Sequence, residues 1–303
     1  PDEVLYKISH PTKKSTNVGK IKLETIIKDQ EMFELISTTK SLDDVVLNEK
    51  TKETLDSLLK QVDKTVINRL KQWGIKDKKR GIEAKIIFYG VAGTGKTLTA
   101  LALARSLKKE VLSFDCSKIL SMYIGESEKN VRSIFDKYYE LRTQTKSEPV
   151  LLLNEADQFL SSRASGGVSS SDKMHNQMQN IFLEQIERFD GILIATTNLL
   201  ENLDKAFSRR FNYKIEFVKP NKAQRIDLWK KLIPVNLPLE ENFDIEELAK
   251  YELTGGQIEL VIKNTAYKIA VSDEPLFKVE DFKEQITKEQ KGQFDSETKV
   301  GFF

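Results

Sequence analysis

Four short, strongly apolar runs punctuate the chain, at residues 85–89, 111–114, 150–153 and 192–196, and each is followed by a stretch with helical amphipathic spacing. Strands that are apolar at nearly every position, rather than at alternate ones, are buried on both faces. The pattern therefore predicts a parallel sheet wrapped by helices, its strands joined by right-handed crossovers. Upstream, Val62, Val66 and Leu70 recur at helical spacing and predict a helix from Ser41 to about Trp73-Gly74. Residues 20–27 partly alternate as a strand does, and the stretch from His10 to Gly19 reads as loop. After Pro220 the character changes: Ile258, Val261, Ile262, Ala266, Ile269 and Ala270 trace one helix face, and no convincing strand follows. The Ser/Gly-rich segment 161–172 reads as a mobile surface loop. Four regions result: an arm at 1–40, a large α/β domain at 41–219, a small helical domain at 220–291 and a tail at 292–303.

Composition narrows the class. The chain has 303 residues, 39% of them hydrophobic and 31% charged, which suffices for a core and a solvated surface and excludes wholesale disorder. The net charge of +2 argues against an obligate polyanion binder, so nucleic acid is not an expected partner. No apolar run approaches the roughly 18 residues of a membrane span and no signal-like core opens the chain, so a cytoplasmic location is expected. One cysteine, Cys116, and two histidines make an internal disulfide and a zinc site poor expectations. Cys116, Trp73 and Trp229 are expected as packing residues, His10 and His175 as surface residues. A start at Pro1 is expected of a processed chain or a piece of a longer one.

Chemistry enters at Gly90-Val91-Ala92-Gly93-Thr94-Gly95-Lys96-Thr97, which follows the first apolar run directly and opens the helix running to about Leu107, with Leu98 as the last of the expected nucleotide contacts of this segment. This is G-x-x-x-x-G-K-[ST] in the strand–loop–helix setting it requires. Glycines let backbone N–H groups turn inward around phosphates, and the helix N-terminus adds partial positive charge. Lys96 is expected to reach the β- and γ-phosphates and the Thr97 hydroxyl to ligate Mg²⁺. The expected ligands are ATP or ADP with Mg²⁺.

The run at 150–153 ends in Asn154-Glu155-Ala156-Asp157. A P-loop enzyme usually places an acidic pair here, one carboxylate for the metal's water shell and one to polarise the attacking water. Glu155 is the candidate base. Asn154 supplies an amide that can accept a hydrogen bond from a metal-bound water yet brings no charge, a loss of roughly tenfold to a hundredfold in metal affinity or rate. Asn198, after the run at 192–196, is a candidate to hold the water or γ-phosphate from the other side.

Taken together, these motifs resemble the AAA family of ATPases over roughly residues 41–290. The resemblance rests also on Tyr123-Ile124-Gly125-Glu126-Ser127-Glu128-Lys129-Asn130-Val131-Arg132, on Ala195-Thr196-Thr197-Asn198, and on Leu203-Asp204-Lys205-Ala206-Phe207-Ser208-Arg209-Arg210-Phe211. It implies a five-stranded parallel sheet, a helical lid and assembly of the chain with itself into hexameric rings. By position, Asn198 is similar to the family's sensor-1 residue, and Arg209 and Arg210 to the arginines that reach a neighbour's γ-phosphate. Tyr123-Ile124-Gly125 resembles the pore loop that grips polypeptide. The adenine contacts would fall near Val45-Val46-Leu47 and Thr254-Gly255-Gly256.

Departures accompany the matches. The family's Arg-Pro-Gly-Arg-Phe is contracted to Arg209-Arg210-Phe211, which leaves open which arginine acts in trans. The lid carries Gln257 and no nearby arginine. Asn154 replaces the family's aspartate, in similarity to a bacterial subgroup reading Asn-Glu, with an engineered substitution as the competing explanation. Arg132 is expected to pair with an acidic neighbour.

Three functions follow. The first is a ring-forming, chaperone-like remodeller that hydrolyses ATP and pulls polypeptide; without an H-E-x-x-H signature, any proteolysis would need a partner. The second is a slow nucleotide-gated switch or scaffold, and the third a nucleic-acid-dependent loader ATPase, disfavoured by the charge balance.

Overall fold

The computed structural model describes residues 32–75, 82–117, 127–145, 147–160, 170–198, 205–272 and 275–292. The expectations for residues 10–19 and 20–27, for Tyr123-Ile124-Gly125 and for 161–169 of the 161–172 loop lie outside them, as does most of the tail; residues 170–172 of that expected loop instead begin a helix (Ser170–Arg188).

The four apolar runs are strands, β2 (Ala84–Gly90), β3 (Val111–Asp115), β4 (Val150–Asn154) and β5 (Ile192–Thr197), joined by β6 (Tyr213–Phe217). These five pair in parallel, and a short strand β1 (Glu34–Ile36) adds an antiparallel edge, giving the order β1-β3-β4-β5-β2-β6. The parallel set is the expected one. β1 is an addition: three residues of the N-terminal stretch satisfy the open edge of β3, where Glu34 pairs with Ser113.

Both faces of the sheet are covered, for the reason the runs suggested. Ile86, Phe88, Val150, Leu152, Ile192 and Ile194 enter one core, with α1 (Glu49–Gln61) and α3 (Lys96–Ser106) over them. Ile87, Leu151, Leu153, Leu193 and Ala195 enter the other, under α4 (Ser127–Gln144), the short α5 (Asp157–Leu160), α6 (Ser170–Arg188) and the short α7 (Lys205–Ser208). A third core built on Trp229, Ile258, Phe277 and Phe282 belongs to the helical C-terminal region alone. It joins α8 (Lys222–Leu232), α9 (Ile245–Leu248), α10 (Gly255–Ile269) and α11 (Val279–Gly292).

Three local expectations change. The helix expected from Ser41 is three elements: Ser41 caps a 3-10 turn (Leu42–Asp44), and α1 and α2 (Lys64–Gln72) are separated at Val62-Asp63. Asp63 accepts the Thr65 N–H at 2.8 Å and so starts a new helix, a capping preference that outweighs continuity of the apolar face. Trp73 is 65% exposed and so not a packing residue, whereas Trp229 is fully buried. Ala270 ends α10 exposed, as its C-cap. Cys116 is buried. No helix among the described residues is long and apolar enough to cross a membrane.

Candidate functional site

Parallel strands bring their carboxyl ends to one edge, and β5 lies between β2 and β4, so the loop after β2 and the residues ending β4 and β5 converge there. Gly90 ends β2 at φ 133°, and a Cβ on it would lie 2.2 Å from the Phe217 carbonyl oxygen of β6. Only glycine lets the chain leave the strand at that point. Gly95, at φ 92°, is the N-cap of α3 and sets Lys96 and Thr97 in its first turn.

Lys96 is buried, and its ammonium donates to the Gly90 and Val91 carbonyl oxygens at 2.9 and 2.8 Å. The Thr94 hydroxyl donates to Val91 O at 2.7 Å. Burial pushes the Lys96 ammonium below its ordinary pKa, and the negative charge of Asp157 partly opposes that. The loop thus holds a partly desolvated cation on its own carbonyls, ready to exchange them for phosphate oxygens.

Asn154 closes the next side. Its Oδ1 accepts the Thr97 hydroxyl at 2.9 Å and the Thr196 hydroxyl at 2.8 Å. With its proton given to Asn154, Thr97 presents oxygen lone pairs, the donor a hard divalent cation prefers, so Thr97 fits the Mg²⁺ expected there. Glu155 follows with φ 53°, a left-handed conformation that disfavours a residue with a Cβ by about 1–2 kcal/mol. β5 pins that turn: the Glu155 N–H donates to Thr196 Oγ1 at 3.2 Å and the Ala156 N–H to Thr196 O at 2.9 Å. The Asn198 N–H donates to Asp157 Oδ1 at 2.9 Å, fixing the start of the segment after β5.

A cavity of about 680 Å³ opens over this edge, within the roughly 300–1,000 Å³ usual for small-molecule sites. Residues 92–98, Asn154, Glu155 and Asn198 line it, with Val45, Val46 and Leu47 on one side and Gly255 and Gly256 on another. The loosest sequence expectations, the segments at Val45 and Gly255, therefore meet the phosphate loop. Leu228, Lys231 and Leu232 of α8 also line it and carried no signal beyond amphipathic spacing. Thr196 was missed because its role depends on a partner in another strand.

The arginines stand apart. Neither lines the cavity. Arg210 is tied within its own chain: its guanidinium meets the Glu187 carboxylate at 3.1 and 3.2 Å and donates to Ala206 O at 2.8 Å. Arg209 is exposed, with no hydrogen-bond or ion-pair partner among the described residues. Arg132 pairs with Glu184 at 3.4 Å, as expected.

Residues 86–219 match the model of the family "ATPase family associated with various cellular activities (AAA)". Among curated proteins, the chain is 30% identical over 224 residues to cell division protein C of Sulfolobus acidocaldarius, covering 69% of this chain and 57% of that protein. It is 29% identical to the ATP-dependent zinc metalloprotease FtsH 2 of Thermoanaerobacter, over 66% of this chain and 39% of that one. It is 33% identical to 26S proteasome regulatory subunit 10B of Dictyostelium discoideum, over 56% and 44%. The matches thus span about two to three fifths of these relatives' own lengths.

Proposed function

With residues 86–219 constituting an AAA-family ATPase domain, we propose that the chain binds and hydrolyses ATP within a ring of its own copies and uses the cycle to remodel a polypeptide. The observation that carries the reading is the convergence of residues 92–97 of the loop, the Asn154-Glu155 turn and Asn198 on one cavity.

In this mechanism ATP lies along the loop from Gly90 to Thr97, its base between Val46 and Gly255-Gly256. Lys96 trades its loop carbonyls for β- and γ-phosphate oxygens. Bound Mg²⁺ would supply charge neutralisation across those phosphates. Thr97 turns its lone pairs toward the cation because Asn154 Oδ1 holds its proton. Glu155 takes the proton of the attacking water and Asn198 positions that water. Arg209 of the neighbouring copy completes the site, stabilising charge on the transferred phosphoryl. Such a contact is heterologous, the kind that builds a ring where its rotation closes. Tyr123-Ile124-Gly125, outside the described residues, is assigned to the polypeptide by resemblance alone.

The uncharged Asn154 favours one second reading, a slow nucleotide-gated switch that assembles on ATP and rarely turns over. Turnover per subunit, measured as protein concentration rises, tests the first. Activity that climbs with concentration and is abolished by Lys96→Ala and by Arg209→Ala supports a shared site, whereas ATP binding with background turnover at every concentration rejects the motor.

A further inference from the structure

Thr196 is 3% exposed, at the carboxyl end of β5, in register with Phe88 of β2. Its hydroxyl makes two bonds: it donates to Asn154 Oδ1 at 2.8 Å and accepts the Glu155 N–H at 3.2 Å. An amide oxygen can only accept and a peptide N–H can only donate, so the direction of both bonds is fixed. Asn154 Oδ1 also accepts from Thr97 at 2.9 Å, which occupies both lone pairs of the amide oxygen. The amide is thereby held in one of its two flip orientations. What Asn154 retains for the cavity it lines is Nδ2 with its two donors.

We propose that Thr196 is a positioning residue of the phosphate site. Through one hydroxyl it fixes the Asn154 amide, and hence the direction in which Thr97 sends its proton, and it anchors the left-handed peptide of Glu155. Asn154 then serves as the acceptor of the Thr97 proton and as an N–H donor toward phosphate oxygens, rather than as the acceptor for a metal-bound water that its position after β4 suggested. The bland account of Thr196 is that a β-branched residue fills a buried strand position, which valine would do equally well. This inference rests on the ATPase reading above.

The test uses the 303-residue chain with Thr196→Val, which keeps shape and removes the hydroxyl, and Thr196→Ser, which keeps the hydroxyl. Affinity for a fluorescent ATP analogue is measured in EDTA and then along a Mg²⁺ titration, and kcat and KM are measured separately. Loss of the positioning hydroxyl predicts for Thr196→Val a Mg²⁺ requirement about five- to tenfold higher and a kcat about tenfold lower. Affinity in EDTA stays within about twofold and KM within about threefold, since the loop itself is untouched, and Thr196→Ser returns every value to within about twofold of the unsubstituted chain. A Thr196→Val protein with the ordinary Mg²⁺ requirement, or a Thr196→Ser protein as impaired as Thr196→Val, overturns the proposal. Should Thr196→Val fail to fold, Thr196→Cys, similar in size and a weak hydrogen-bonding group, is judged by the same criteria. If the unsubstituted chain binds ATP with Mg²⁺ and does not turn over, the ATPase reading fails while the Mg²⁺ titration still decides Thr196. If it binds no ATP, both fall.

Discussion

The Gly93 carbonyl oxygen accepts a hydrogen bond from the Gly256 N–H at 2.9 Å, so the phosphate loop and the first turn of α10 meet backbone to backbone. A Cβ on Gly93 would lie 2.6 Å from Thr254 Oγ1, and its φ of 73° already disfavours a side chain. On Gly256 a Cβ would approach Gly93 Cα at 3.1 Å, a milder crowding. Gly93→Ala is therefore expected to weaken ATP binding by about tenfold or more and Gly256→Ala by less, because the first strains the loop as well as the contact. Titration calorimetry with ATP decides. Equal effects would mean that the loop strain at Gly93 adds nothing to the loss of the contact.

Two other glycines of the loop separate folding from binding. Gly90→Ala sets a methyl against the Phe217 carbonyl, whereas a Cβ on Gly95 meets nothing within 4 Å and suffers only the backbone strain of φ 92°. Gly95→Ala should cost about 1–2 kcal/mol of unfolding free energy. Gly90→Ala should cost more, about 3 kcal/mol or above, since β2 and β6 must part to admit it. Denaturant unfolding of the two variants in the absence of nucleotide measures the order.

Much of this architecture was legible because burial on both sheet faces writes itself as continuous apolar runs, and the phosphate loop is a local motif whose context is also local. What escaped notice depends on pairing between distant segments. Glu34 belongs to the sheet only because Ser113 opposes it, and three residues carry too little pattern to announce a strand. Asp63 reads as one more polar helix position until its side chain turns back to Thr65. Thr196 sits in a β-favouring run where a threonine draws no attention, and only the neighbouring end of β4 gives its hydroxyl a purpose. Arg209 and Arg210 likewise look alike in the sequence, and only Glu187, on α6, distinguishes the tied guanidinium from the exposed one.

Those two arginines are expected to respond differently. Arg210→Ala removes an ion pair and a bond to Ala206 O, so it should lower stability by about 1 kcal/mol along with any change in activity. Arg209→Ala should leave stability unchanged and abolish turnover. Mixing Arg209→Ala protein with Lys96→Ala protein supplies each defect from the other subunit, and random assembly at 1:1 makes roughly a quarter of sites whole in a head-to-tail ring. Turnover of the mixture above that of either component supports action in trans; a mixture as inactive as its parts assigns Arg209 to the surface.

The helical C-terminal region carries an acid-sensitive contact. Lys268 bonds Glu284 at 2.6 Å and Asp281 at 3.0 Å, and Lys288 bonds Glu284 at 2.7 Å. The Lys268 bond first, then that of Lys288, holds the Glu284 carboxyl down to about 2 from its ordinary 4.5. A carboxyl lowered in the folded state stabilises fully above its unfolded value and loses that contribution as pH falls. The window is pH 4.5 to about 2. Because the pair is exposed, salt screens it. Glu284→Gln should narrow the difference in melting temperature between pH 6 and pH 3 at low ionic strength, and 0.5 M NaCl should largely erase the distinction between the two proteins. An unchanged pH dependence would show that these charges do not couple α10 to α11.

Asn154→Asp separates the motor from the switch. The carboxylate keeps both acceptor positions now used by Thr97 and Thr196, so the geometry survives while each hydroxyl bond becomes charge-assisted and roughly twice as strong. Lys96 of the phosphate loop partly compensates the new charge, and folding stability should stay within about 1 kcal/mol. The added charge should lower the Mg²⁺ concentration for half-maximal binding by about tenfold. If Asn154 already holds the Thr97 proton where it is needed, the chemical step gains little, and kcat should change by less than about threefold. A tenfold or greater rise in kcat would mean instead that the missing charge limits turnover in this chain, which is the behaviour of a switch held in its ATP state until something else releases it.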